Sequence, residues 1–313
     1  MTVAPTESPD ASSTSRKRRS SASPRRARAS SPSTSAGSRS SLSLADLRDL
    51  AERHGVRPTK ALGQNFLADP NLARAIAAEA GLGQGDRVLE IGAGLGALTV
   101  ALAATGAEVL AVELDRGIMP ALREVAEPLG VRVEHADAMT ADWALLAGGG
   151  RWACVSNLPY NVAVPVVMRL LEEAPNVDPL VVMVQREVGE RLAAGAGEAG
   201  YGSVSARVAY RARARVVRRV PATVFWPRPR VESVVVRLDR HPPPVAVPPE
   251  RLFPVIEAGF AQRRKTMRNA LVRLGLPPAE AAAALAGCGV DANVRAEELG
   301  LEAFACLAER VPG

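Results

Sequence analysis

From residue 43 onward the chain switches between two hydrophobic rhythms. Short apolar runs at 88–91, 107–112, 131–136, 152–155 and 181–184 end in Gly, Glu, Asp, Asn or Gln. Runs of that length and ending read as strands buried on both faces. Between them the apolar spacing stretches to three and four. Leu44, Leu47 and Leu50 share one face of a helix from 44 to about 54, which Ser43 is placed to cap. Asp69-Pro70 signals a helix over 71–80, and further helices are expected near Leu95 and over 162–173 and 185–194. Strands alternating with helices predict an α/β fold around a largely parallel sheet. Arg211, Arg213 and Arg215 alternate with Ala212 and Ala214, which reads as a strand with one basic face, and 234–238 reads as the last strand. Residues 195–202 form a Gly-rich flexible loop. Five prolines within 241–249 mark a linker, and helical spacing at 250–259, 265–274, 278–286 and 301–310 predicts a small all-α region after it.

The first 43 residues follow neither rhythm. They are rich in Ser, Pro, Arg and Ala and hold almost no large apolar residue, so they cannot bury enough surface to order themselves. The organisation expected is therefore a basic tail over 1–43, an α/β domain over 44–240 and a helical domain over 241–313. Eight basic and two acidic residues lie in that tail, which accounts for the whole net charge of +6. The remainder is balanced, so any nucleic-acid face there must come from uneven patterning. A solvated arm that aids RNA binding and a tail without function both fit the segment. An apolar signal core is absent from it, and it lacks the apolar face of a transit helix. No apolar run reaches the roughly 18 residues of a membrane span. Cys154, Cys288 and Cys306 are odd in number, far apart and in no C-x-x-C pair, so neither a disulfide framework nor a zinc site is expected. A reducing, cytoplasmic setting fits, with no metal and no membrane partner.

Candidate chemistry falls at the ends of the predicted strands. Gly92, Gly94 and Gly96 turn the first strand into a helix, which lets backbone approach a ligand at a helix N-terminus. The spacing satisfies both a loose dinucleotide fingerprint and the Glu90-x-Gly-x-Gly-x-Gly loop of nucleoside methyltransferases. Glu113 ends the second strand, where a carboxylate can accept from ribose hydroxyls, and Asp115 reads as the cap of the next helix. Asp137 follows the third strand, placed to accept from an adenine amino group. Asn157-Leu158-Pro159-Tyr160 follows the fourth. There the Asn157 side-chain oxygen and the Leu158 carbonyl can each accept one hydrogen of a planar amine, and Tyr160 offers a stacking face. Each residue alone also reads as a turn or a cap, but successive strand ends bearing these groups favour a nucleoside site. His54, His135 and His241 are scattered and suggest no catalytic set. A basic stretch over 203–240 and a second cluster holding Arg264, Lys265, Arg268 and Arg273 suggest phosphate contacts, with Arg264 and Arg268 on one helix face; a charge-protected sheet edge or a solvated helix would look the same.

Five stretches together carry a resemblance: Leu62-Gly-Gln-Asn-Phe-Leu67, Leu89-Glu-Ile-Gly-Ala-Gly-Leu-Gly-Ala-Leu-Thr99, Asn157-Leu-Pro-Tyr-Asn161, Phe225-x-Pro227-x-Pro229-x-Val231-x-Ser233 and Phe260-Ala-Gln-Arg-Arg-Lys-Thr266. In this order, from about 57 to about 310, the chain resembles the ribosomal RNA adenine N6-dimethyltransferase family, and within it the bacterial small-subunit branch. Glu232 stands where the family more often has Asp. The resemblance implies a Rossmann-like class I methyltransferase domain with a seven-stranded, mostly parallel sheet. It implies S-adenosylmethionine as cofactor, held by Asn65, Leu67, Gly92, Gly94, Glu113, Asp137 and Asn157. Tyr160 would stack on a flipped adenine, with Phe225 on its other face. The charge pattern, apart from the resemblance, offers Arg211, Arg213, Arg215, Arg264, Lys265 and Arg268 as the RNA contacts. The resemblance further implies dimethylation of two adjacent adenines near the 3′ end of 16S rRNA by a monomer acting on the small ribosomal subunit. The rivals are the large-subunit macrolide-resistance branch, a non-catalytic ribosome-assembly factor and a dinucleotide oxidoreductase.

Overall fold

The computed structural model describes residues 41–58, 63–262 and 264–312. Most of the expected tail, residues 59–62 and residue 263 lie outside them, the last of the four and 263 falling within the quoted stretches.

Local chemistry starts the fold as the pattern predicts. Helix α1 (Leu44–Arg53) opens on a reciprocal Ser43–Asp46 capping box, and α2 (Pro70–Glu79) opens on Asp69, whose carboxylate accepts from the amides of Asn71 and Leu72. Strand β1 (Phe66–Leu67) lies between them. The chain then alternates: β2 (Arg87–Ile91), α3 (Ala97–Ala103), β3 (Glu108–Glu113), α4 (Met119–Ala126), β4 (Arg132–His135), α5 (Trp143–Ala147), β5 (Trp152–Asn157), α6 (Ala163–Glu173), β6 (Val177–Gln185) and α7 (Arg186–Ala193). Helix α8 (Ser203–Arg211) follows, then β7 (Ala212–Val220), β8 (Phe225–Trp226) and β9 (Ser233–Arg240). Four helices close the chain: α9 (Pro249–Phe260), α10 (Met267–Arg273), α11 (Pro278–Gly287) and α12 (Leu301–Ala308).

Seven strands form one sheet in the order β4-β3-β2-β5-β6-β9-β7. The first five are parallel, while β9 runs antiparallel to both β6 and β7. The mostly parallel, seven-stranded architecture is thus as expected. Each face of the sheet has its own core. Val88, Val109, Val155, Met183 and Val235 pack beneath α1, α2 and α3. Leu89, Leu110, Cys154, Val182 and Val236 pack against α6 and neighbouring helices. A third core joins α9–α12 to Ala206 and Tyr210 of α8, and the Tyr210 hydroxyl donates to the Val247 carbonyl within the expected linker.

The structure corrects three expectations here. Arg211 ends helix α8 instead of entering a strand. Its guanidinium lies over the rings of Tyr210 and Phe253, so it serves the third core. Arg264 and Lys265 lie in the turn before α10, so Arg264 does not share a helix face with Arg268. Cys288, at the end of α11, is bonded to Cys306 of α12, a pairing that sequence separation concealed. Among the described residues no helix is long and apolar enough to cross a membrane, and no group of metal-ligating side chains occurs.

Candidate active site

The carboxyl ends of β2, β3 and β5 open into one cavity. The loop at 63–67 and the start of α3 complete its wall. Gly92 has φ +73°, and a Cβ there would stand 3.2 Å from the Pro159 ring; Gly94 has φ +57°, and its Cβ would meet the Phe66 ring at 3.0 Å. Glycine is required at both, and its absence of side chain brings the Asn-Leu-Pro-Tyr turn and the 63–67 loop onto the Gly-rich backbone.

Three anchors hold this arrangement. Buried Ser156 accepts the Ile91 amide at 2.9 Å, tying the ends of β5 and β2 together. The Glu113 carboxylate accepts from the amides of Gly94 (2.8 Å), Leu114 (2.9 Å) and Asp115 (2.8 Å). A carboxylate offers about four acceptor positions, so one remains on Oε2 for a ligand hydroxyl. Burial pushes the Glu113 carboxyl up, and the three amides act against it. Gln64 donates to the Asp115 carboxylate at 2.7 Å, clasping the 63–67 loop across the cavity. Asp115 thereby braces loops, also accepting the Gly117 amide, and does not cap α4.

At the tetrapeptide, Asn157 Nδ2 donates to the Asn65 carbonyl at 3.1 Å. A carbonyl can only accept, so the amide orientation is fixed and Oδ1 faces away. Among the described residues nothing donates to that oxygen or to the Leu158 carbonyl. The Leu158 amide is held by the Met183 carbonyl at 3.1 Å. Two unpaired acceptors beside the half-buried Tyr160 ring fit a planar amino group.

Two residues assigned from sequence do not line the cavity. Phe225 is 4% exposed, opposite Leu67 in the short β1–β8 ladder, so its ring belongs to the core. Asp137 follows β4, where its carboxylate accepts the Met139 amide. Asn65, Leu67, Gly92, Gly94, Glu113, Asn157, Leu158, Pro159 and Tyr160 are all brought together. Glu90 lines the cavity as well. Fully buried, it accepts the Thr99 hydroxyl at 2.6 Å, and burial pushes its carboxyl up to about 8. Both residues stand in the Gly-rich stretch of the sequence, yet nothing local marks them as partners.

Of the other basic residues, Arg213 and Arg215 are exposed along β7, the open edge of the sheet, on the same face as Arg218. Arg268 donates to the Pro278 carbonyl from an exposed position, and Arg264 and Lys265 are exposed.

A parallel sheet whose strand ends carry a Gly-rich turn, an acid and two amine acceptors beside an aromatic face defines a methyltransferase-type nucleoside site. Comparison narrows the class. The family model for ribosomal RNA adenine dimethylase matches residues 56–311. A ribosomal RNA small subunit methyltransferase A from Thermobifida fusca is 46% identical over 277 residues, covering 87% of this chain and 96% of the relative. Its counterpart from Kineococcus radiotolerans is 44% identical over 278 residues, covering 88% and 93%. Among solved structures, a 23S rRNA methyltransferase, ErmE, is 27% identical with a TM-score of 0.62, covering 79% of this chain and 99% of that one. A dimethyladenosine transferase from Plasmodium falciparum, at 23% identity and TM-score 0.66, covers 77% and 95% and shares the fold. The chain belongs to the ribosomal RNA adenine dimethylase family and is a methyltransferase.

Proposed function

We propose that the protein transfers two methyl groups from S-adenosylmethionine to N6 of each of two adjacent adenines near the 3′ end of 16S rRNA, in the small ribosomal subunit. The observation that carries this is the pair of unpaired acceptors, Asn157 Oδ1 and the Leu158 carbonyl, beside Tyr160 and the Gly-rich turn. The cavity suits the cofactor: Gly92 and Gly94 leave backbone bare for close approach, and Glu113 keeps an acceptor for a ribose hydroxyl. When bound, the cofactor supplies a methyl whose bond to sulfur breaks, with the electron pair staying on sulfur, as the bond to N6 forms.

Adenine N6 is a weak nucleophile because its lone pair is delocalised into the ring. Asn157 and Leu158 accept the N6 hydrogens and turn that lone pair out of the ring plane toward the methyl, while Tyr160 stacks the extruded base. One N6 proton leaves with each transfer. Arg213, Arg215, Arg264, Lys265 and Arg268 supply exposed positive charge for the RNA backbone. The likeness to ErmE favours large-subunit RNA as the alternative substrate.

Methyl transfer to immature small subunits and, separately, to large-subunit RNA tests the reading. Dimethyladenine should map to the small-subunit RNA, and Asn157→Ala should lower the rate by about 100- to 1,000-fold. Transfer to large-subunit RNA alone would replace the substrate. Tight subunit binding without transfer would favour an assembly factor.

A further inference from the structure

The buried run of β9, Val234–Val236 and Leu238, is apolar, but its first residue is not. Ser233 is 1% exposed, between Gln185 of β6 and Val220 of β7. A hydroxyl held out of water needs a partner. For Ser233 it is the Tyr160 phenol, at 2.7 Å and 73 residues away in sequence. The Tyr160 ring is thus fixed at both ends. At its base Pro159 lies against Gly92, and at its tip the hydroxyl meets β9. Burial pushes the phenol up, while the Ser233 hydrogen bond acts the other way.

Stacking a base requires only an aromatic face, which phenylalanine would also provide. The hydroxyl and its buried partner therefore call for a separate reason. We propose that Ser233 is a positioning residue for methyl transfer, holding the Tyr160 ring at the tilt that presents the target amine to Asn157 and Leu158. This rests on the reading of Tyr160 as the face that stacks the target base. The clasp matters most for the second transfer. A monomethylated N6 keeps one N–H, so one of its two orienting hydrogen bonds is gone and the stacking face carries more of the alignment. A loosened ring favours release after a single methyl group.

Ser233→Ala and Tyr160→Phe remove opposite halves of one hydrogen bond. With the full chain and immature small subunits, each should slow transfer by about five- to tenfold. Each should also raise the share of N6-monomethyladenine, and the double variant should go no further than either single one. Calorimetric affinity for S-adenosylmethionine should be unchanged in all three, which separates a lost clasp from a lost fold. Ring-labelled tyrosine NMR gives a reading without substrate. The chain has three tyrosines, Tyr160→Phe assigns the relevant signal, and Ser233→Ala should shift that signal alone. An unmoved Tyr160 signal, additive losses or an unchanged ratio of mono- to dimethyladenine overturns the inference. Failure of the wild-type protein to methylate small-subunit RNA, with the Tyr160 signal still shifting, overturns the functional reading and the positioning role with it, and leaves the hydrogen bond as packing.

Discussion

The two ends of the seven-stranded sheet both carry a cavity with polar groups in its wall, and they hold those groups by opposite means. At the carboxyl ends of β2, β3 and β5, Glu90, Glu113 and Ser156 are buried. Each is met by a fixed donor, a backbone amide or the Thr99 hydroxyl. At the amino ends of β2, β5 and β6, Arg87, Arg151, Asp178 and Arg237 line a second cavity. There charge meets charge nearer to water: the Arg151 side chain is 75% exposed where it pairs at 3.1 Å with Asp178, which is 26% exposed. A buried acceptor must keep its partner, because leaving it unpaired costs about 1–3 kcal/mol, more if charged. An exposed ion is paired by water as readily as by its neighbour. Rigidity, and so the capacity to aim atoms at a ligand, lies at the buried end.

The largest expected effect on binding follows from Glu113. In Glu113→Gln the amide nitrogen must face at least one backbone N–H that now has an acceptor. Losing one or two charge-assisted hydrogen bonds, at about 1.5–3 kcal/mol each, loosens the Gly-rich turn. S-adenosylmethionine affinity, measured by calorimetry, should fall by about 100-fold or more. Full affinity in the variant would mean that the turn holds its shape without the carboxylate, and the contrast between the two ends would collapse.

An effect on stability, with a sign of its own, comes from Glu90. Its folded-state carboxyl is raised from 4.5 to about 8 by burial. The raised value means the folded protein holds the proton more tightly than the unfolded chain. The stabilisation is complete below about pH 4.5 and is lost as pH rises toward about 8, after which it changes no further. Between those limits the wild-type protein should lose on the order of 5 kcal/mol relative to Glu90→Gln, which carries no titrating proton there. Urea unfolding of both proteins at pH 5, 7 and 8.5 would measure it. A stability difference that stays constant across that range would place Glu90 in contact with water.

How legible was this in the sequence? The strands β2–β6 and the groups at their ends were readable, because apolar runs of strand length ending in Gly, Glu or Asn report a local preference and a topological rule together. What failed was non-local. The alternation from Arg211 to Arg215 looks the same whether it opens a strand or ends a helix, and Phe253, 42 residues on, joins the neighbouring Tyr210 in drawing Arg211 into a core. Arg240 seemed part of the basic stretch, yet it donates to the carbonyls of Leu170, Leu171 and Ala174 at the end of α6 and to that of Val177. The family resemblance implies Phe225 on the second face of the target base. A two-residue ladder with β1 has no sequence signal, and it places the ring in the core. The clasps Gln64–Asp115 and Tyr160–Ser233 and the Cys288–Cys306 bond each join residues that only the fold makes neighbours.

The smallest expected effect is at the open end of the sheet. Arg151 donates to both the carboxylate and the carbonyl of Asp178. Asp178 does not depend on it, since its other carboxylate oxygen accepts the Arg240 amide at 3.0 Å. Removing the guanidinium leaves Asp178 with that backbone donor and with water, so no buried charge is orphaned. Arg151→Ala should therefore cost less than about 1 kcal/mol, seen as a small shift of the denaturant midpoint with an unchanged slope. S-adenosylmethionine affinity should not move at all, because the pair sits at the far end of the strands from the Gly-rich turn. A change in that affinity would show that the two ends are mechanically linked through β5 and β6. The buried anchors at the carboxyl end would then be set partly by charges that water was expected to make interchangeable.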